Sequence, residues 1–110
     1  MAISSAASGT QTATLTTEHT LATITTAGTY VLNVDISALQ NNEVVWLRLK
    51  TKTLGGGTQR LAYEAKFRHI QGQPSVFSVP VPTLIELVAT LRQDNGTGRS
   101  FPWNLIRIDA

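Results

Sequence analysis

The chain contains no cysteine, so a disulfide framework, a thiolate metal site and a cysteine nucleophile are all excluded. Histidine is nearly as scarce. Two imidazoles, His19 and His69, without an acidic cluster make a poor metal site. Glu18 and His19 are adjacent, so on an extended chain they point to opposite faces and cannot act as a pair. Aromatic residues are 6% and charged residues 15% of the chain, which leaves little for stacking on bases or sugars and little for electrostatic capture. No apolar run approaches the length of a membrane span. The first residues, Met1 to Gly9, lack the basic and apolar regions of a signal peptide, so no membrane association is expected.

The motifs of common chemistry are missing too. Gly55-Gly56-Gly57-Thr58 has neither the lysine nor the following helix of a phosphate cradle, and its glycines read instead as hairpin-loop residues at positive φ. Ser100 has no nucleophile-elbow context, and Asp94-Asn95-Gly96 offers too few oxygens for calcium. No catalytic residue, cofactor site or metal ligand is assigned, and the chain reads as non-enzymatic.

What is abundant is Thr, Ser, Ala and Val, the composition of β surfaces, in a chain of 110 residues that has room for one core. Residues 1–9 are small and polar and read as a flexible N-terminal arm. Residues 10–110 read as a single all-β domain, an antiparallel β-sandwich or jelly-roll-like fold of about seven or eight strands.

The organising stretch runs from Val44 to Ile70. Val45, Leu47, Leu49 and Thr51 alternate with Trp46, Arg48, Lys50 and Lys52, and Leu61, Tyr63, Ala65, Phe67 and His69 alternate with Ala62, Glu64, Lys66, Arg68 and Ile70. An antiparallel hairpin centred near Gly56 places Leu47 opposite Ala65, Val45 opposite Phe67 and Arg48 opposite Glu64, so like faces meet and opposite charges pair. A slip of two residues would keep the faces, whereas a slip of one would bury Arg48 and Lys50 unpaired. The hairpin therefore has a core side and a basic side.

Leu21, Ala22 and Ile24 mark a short strand, and Tyr30, Leu32, Val34 and Ile36 the buried face of another. Ser75 to Val79 can be a strand, while Pro80 and Pro82 confine Val81 to an edge or a crossover. Thr83 to Gln93 fits helix or strand; strand is preferred for Glu86 to Arg92 because strands lie on both sides. Residues 93–100 are a loop, and Trp103 to Ile108 a last strand. Leu47, Leu49, Tyr63, Phe67, Leu32 and Val34 should share one core.

The candidate interface has three parts: Ala2 and Ile3 in the arm, the basic hairpin face with Trp46, Arg48, Lys50, Lys52, Lys66 and Arg68, and the aromatic pair Phe101 and Trp103 flanking Pro102. The basic face could in principle bind single-stranded nucleic acid in the manner of an OB-fold. With one interleaved aromatic and a net charge of +2, a solvated or protein-contacting face is the stronger reading, and nucleic acid is not expected as the partner.

Three segments, Thr17 to Thr23, Gly28 to Asp35 and Gly96 to Trp103, resemble segments of small proteins encoded by tailed bacteriophages, over most of the chain from about Thr14 onward. These are framework and turn motifs, not a site signature. The resemblance implies a virion structural protein made in the host cytoplasm. Its implied place is the capsid surface, as a cement or decoration protein, with a tail or head–tail component as the alternative. The partners it implies are the major capsid protein or other virion proteins, and a homo-oligomer is expected.

Overall fold

In the computed structural model, which describes residues 2–109, the chain forms nine strands in two antiparallel sheets and no helix among the described residues. They are β1 (Ala2–Thr12), β2 (His19–Ile24), β3 (Gly28–Asp35), β4 (Val44–Thr51), β5 (Arg60–Arg68), β6 (Ser75–Phe77), β7 (Val81–Thr83), β8 (Leu87–Asp94) and β9 (Ser100–Asp109). One sheet has the order β1-β9-β3-β6 with β7 also on β3, and the other has the order β2-β8-β4-β5. We call these the β1 sheet and the β2 sheet.

The pairing has one simple rule. In β4·β5, β3·β6, β3·β7, β2·β8 and β1·β9 alike, the numbers of paired residues add to between 110 and 112. The chain is thus folded in half about residues 55 and 56, and the doubled ribbon is wound so that β9 also pairs β3 and β8 also pairs β4. This winding of paired strands into two sheets is the jelly-roll architecture. The hairpin at Val44 to Ile70 is its innermost pair, and the observed register has Leu47 opposite Ala65, Val45 opposite Phe67 and Arg48 opposite Glu64, the register expected for a hairpin centred near Gly56.

Between the sheets lies one core. Tyr30, Leu32, Val34 and Ile36 meet Val45, Leu47 and Leu49 across it, with Leu87, Ala89, Leu91, Phe101 and Leu105; Tyr63 and Phe67 are half-buried against its margin.

Several expectations need correction. The arm at residues 2–9 is not separate from the domain: it pairs along β9 as most of β1, because its small side chains let an edge strand lie flat there. With β7 distinct from β6, this brings the strand count to nine. A bulge in β5 at Ala62 sets Leu61 opposite Lys50, so Leu61 is 52% exposed and leaves the inner face it was assigned by alternation. His69, at φ 62° and exposed, ends that alternation as well. Gly55, Gly56 and Gly57 do not adopt positive φ; the glycine that does is Gly96, at 76°.

Candidate functional site

The basic side of the hairpin forms the outer face of the β2 sheet. Trp46 stands at its centre because register places Lys66 beside it on β5 and Arg92 beside it on β8, with Arg48 two residues along β4. All three cations lie over the indole, with Lys66 Nζ 4.9 Å, Arg48 Cζ 5.3 Å and Arg92 Cζ 5.8 Å from the ring centroid. The indole N–H donates to Asp94 Oδ2 at 2.9 Å, and Arg92 donates to the same oxygen at 3.1 Å. Trp46 is therefore a ring already stacked and hydrogen-bonded within the protein, not a free platform for a base.

Most of the remaining positive charge is neutralised. Glu18, carried in on the turn before β2, accepts from both Arg48 and Lys50, the latter at 2.6 Å, and Arg48 donates to Glu64 at 2.6 Å. The hydrogen bond from Lys50, helped by Arg48, holds the Glu18 carboxyl below the usual carboxylate range against the opposing effect of burial. Lys52 lies 3.8 Å from Glu86. Lys66 and Arg68 have no carboxylate at ion-pair distance among the described residues, and they line a shallow open depression with Thr16, Val44, Trp46, Arg92, Asp94 and Asn95. Of the five cations expected on this face, Lys66 and Arg68 thus lack a carboxylate partner, and Lys66 lies instead over Trp46.

A second polar cluster escaped the sequence reading. Glu43, 3% exposed just before β4, accepts from Gln40 N–H at 3.0 Å, from Thr97 N–H at 3.2 Å and from the Arg99 guanidinium at 2.9 to 3.2 Å. The Arg99 bonds above all hold its carboxyl below the ordinary range. Beside it the fully buried Gln93 donates to Thr97 O at 2.7 Å and accepts from Arg99 N–H at 2.9 Å. Gly96 is required here, since a Cβ at its positive φ would lie 2.5 Å from Glu43 Cγ and run into the carboxylate. This clasp ties the 95–99 loop, and with it the start of β9, to the entry of β4. Its signal in the sequence was an acid and an arginine far apart, without periodicity to link them.

Both histidines act as structural acceptors, His19 Nε2 for Thr14 N–H at 2.9 Å and His69 Nδ1 for Asn42 N–H at 2.8 Å. Among the described residues no group of three or more His, Asp or Glu is placed to hold a metal ion.

The third face is the outer side of the β1 sheet. Ile106 and Ile108 alternate with the buried Leu105, Val31 with the buried Tyr30 and Leu32, and register aligns Ile3 with Ile108 and Ile106 with Val31. Phe77 lies opposite Asn33, one rung beyond Val31 on the same face, and Ile3 and Phe77 are 71% and 58% exposed. No charged side chain falls among Ile3, Ser5, Val31, Asn33, Asn104, Ile106 and Phe77. The expected members Ala2 and Ile3 are exposed on β1, whereas Phe101 is fully buried and belongs to the core; Trp103 is half-buried, with its indole 3.4 Å from where a Cβ on Gly9 would lie. Alternation turns Phe101, Trp103 and Leu105 all inward, so neither aromatic belongs to the outer face. No family model, no curated protein and no solved structure matches this chain.

Proposed function

We propose that this protein is a non-enzymatic structural protein of a tailed-bacteriophage virion that binds the outer shell as a cement or decoration protein. The observation that carries the reading is the outer face of the β1 sheet, where Ile3, Ile108, Ile106, Val31 and Phe77 step diagonally across three rungs as an apolar band, half-buried along its middle and exposed at Ile3 and Phe77. A surface of this kind suits a flat, permanent contact with a neighbouring protein better than it suits a small ligand, which needs a concavity with converging polar groups. The β2 sheet supports the same reading from the other side: its charges are mostly spent on each other and its one tryptophan is already engaged by three cations and a hydrogen bond to Asp94, which leaves little for stacking single-stranded nucleic acid. Jelly rolls occur in viral capsid domains and also in lectins and cupins, so the fold is compatible with a virion role without assigning one.

In this role the β1 sheet faces the major capsid protein, with Lys66 and Arg68 free to meet acidic groups at the rim. The test is reconstitution. Purified protein is added to particles that lack it, and bound copies and resistance to heat-induced DNA release are measured. Saturable binding on the shell with increased resistance is the expected result. Binding at the tail alone, or on the shell without added resistance, overturns the cement assignment in favour of a tail or passive surface role.

A further inference from the structure

A sheet edge offers unpaired backbone N–H and C=O groups, and soluble proteins blunt such edges. Three of the four edge regions here are blunted. The β5 edge carries Arg60, Glu64, Lys66 and Arg68 with a bulge; the β6 and β7 edge is split into two three-residue strands with Pro80 between them and Pro82 inside the second; β2 has six residues and a bulge near Leu21. The fourth edge, β1, is different. It runs for eleven residues, Ala-Ile-Ser-Ser-Ala-Ala-Ser-Gly-Thr-Gln-Thr, without a charge or a proline, and only the bulge at Ala6 interrupts it. From Ala7 to Thr12 its register against β9 is regular.

We infer that β1 pairs edge to edge with β1 of a second copy of this chain, antiparallel about a two-fold axis. The occupant follows from the sequence of the edge itself. An antiparallel two-fold places each residue opposite another of the same strand, so a charged edge would meet like charge, and this edge has none. With the axis at Thr10, Ser8 lies opposite Thr12, Gly9 opposite Gln11 and Thr10 opposite its own copy. Residues 8, 10 and 12 share the outer face and 9 and 11 the inner one, so both faces stay in phase. Opposed Thr and Ser side chains are a favourable cross-strand combination. The β1 sheets of two molecules then form one continuous sheet, joined through residues 8–12, with Ser8, Thr10 and Thr12 lining the outer face of the seam and the apolar bands of the two copies lying on opposite sides of it.

This deepens the structural-protein reading, on which it rests for the use of a dimer, yet it is tested without particles. The wild type and the variants Thr10→Lys and Thr10→Glu are compared by sedimentation over a concentration series, with far-UV circular dichroism as the check on folding. Thr10 is exposed, so either variant should fold. The expected result is a wild-type dimer, at least ten-fold weaker self-association for each variant alone, and a dimer restored when the two are mixed, because Lys then faces Glu. A monomeric wild type at every concentration overturns the inference. So does a dimer that both variants retain, or one that mixing fails to restore, since each places the contact elsewhere. If the dimer behaves as expected but the protein does not bind shells, the virion reading fails and the edge pairing stands.

Discussion

The two outer faces of this sandwich solve the same problem in opposite ways. Each backs onto one shared core, and each must do something with the side chains that alternation sends outward. On the β2 sheet these are Arg48, Lys50, Lys66 and Arg92, which Glu18, Glu64, Asp94 and the face of Trp46 largely engage. On the β1 sheet they include Ile3, Val31, Phe77, Ile106 and Ile108, interleaved with the uncharged Ser5, Thr29, Asn33 and Asn104. A charged face with its partners in place is finished within the monomer. An apolar face is not, and this difference is why the proposed contact is placed on the β1 sheet rather than on the basic face.

The comparison predicts that the inner faces, unlike the outer ones, are equivalent. Leu49→Ala from the β2 sheet and Leu105→Ala from the β1 sheet, both fully buried, should each lower stability by about 2–5 kcal/mol in urea unfolding. A loss under about 0.5 kcal/mol in either would mean that sheet does not face the core.

The clasp and the ion-pair face come next. Glu43→Gln removes the charge from bonds that join the entry of β4 to the entry of β9 and should cost about 1.5–3 kcal/mol. Glu18→Gln, on a partly exposed network, should cost about 1 kcal/mol or less. Both carboxyls are held below their ordinary value of 4.5, so the folded state binds protons less readily than the unfolded chain. Their stabilisation is complete above that value and disappears as the pH falls through the lower folded values. Unfolding curves of the wild type and both variants at neutral and acid pH should therefore converge on acidification. A difference that persists undiminished at low pH would show that the carboxylate charge is not its source.

The smallest effect on stability separates the faces most sharply. Phe77→Lys on the β1 sheet should change unfolding free energy by no more than about 0.5 kcal/mol while markedly reducing occupancy on shells. Lys66→Glu on the β2 sheet should weaken that binding less, and mainly at low salt. If Lys66→Glu abolishes binding and Phe77→Lys leaves it intact, the two faces have been assigned the wrong way round.

The parts of this fold that were legible in the sequence were those carrying period-two alternation under one-sided burial. Tyr30, Leu32, Val34 and Ile36, and Val45, Leu47 and Leu49, are inward as their spacing requires, and the central hairpin has the register that charge pairing and face matching demand. Strand β8 was ambiguous for a physical reason. Its outward residues Val88 and Thr90 lie opposite Lys50 and Arg48, whose long side chains cover them, so both faces are buried and alternation fades. Strand β1 was read as an arm because its small residues bury almost nothing, although pairing with β9 needs only backbone. The bulge that turns Leu61 outward and the Glu43–Arg99 clasp leave no periodic trace. The site was partly legible: the hairpin cations could be named and the Arg48–Glu64 pair follows from register, whereas the neutralisation of Lys50 depended on Glu18 arriving from another strand pair.

A chain folded in half about its midpoint also has a preferred order of events in time. The innermost pair, β4 and β5, closes over a short loop, and once it has formed each outer pair needs only a small further closure, so the ribbon can zip from its tip toward its ends. Taken in any other order, β1 and β9 would have to find each other across nearly the whole chain. The ratio of kinetic to equilibrium effects of mutation should accordingly be highest in β4 and β5 and near zero in β1, and a high value in β1 would exclude this order. On this order the unblunted edge is the last part of the domain to take shape, formed only after the strands behind it have closed.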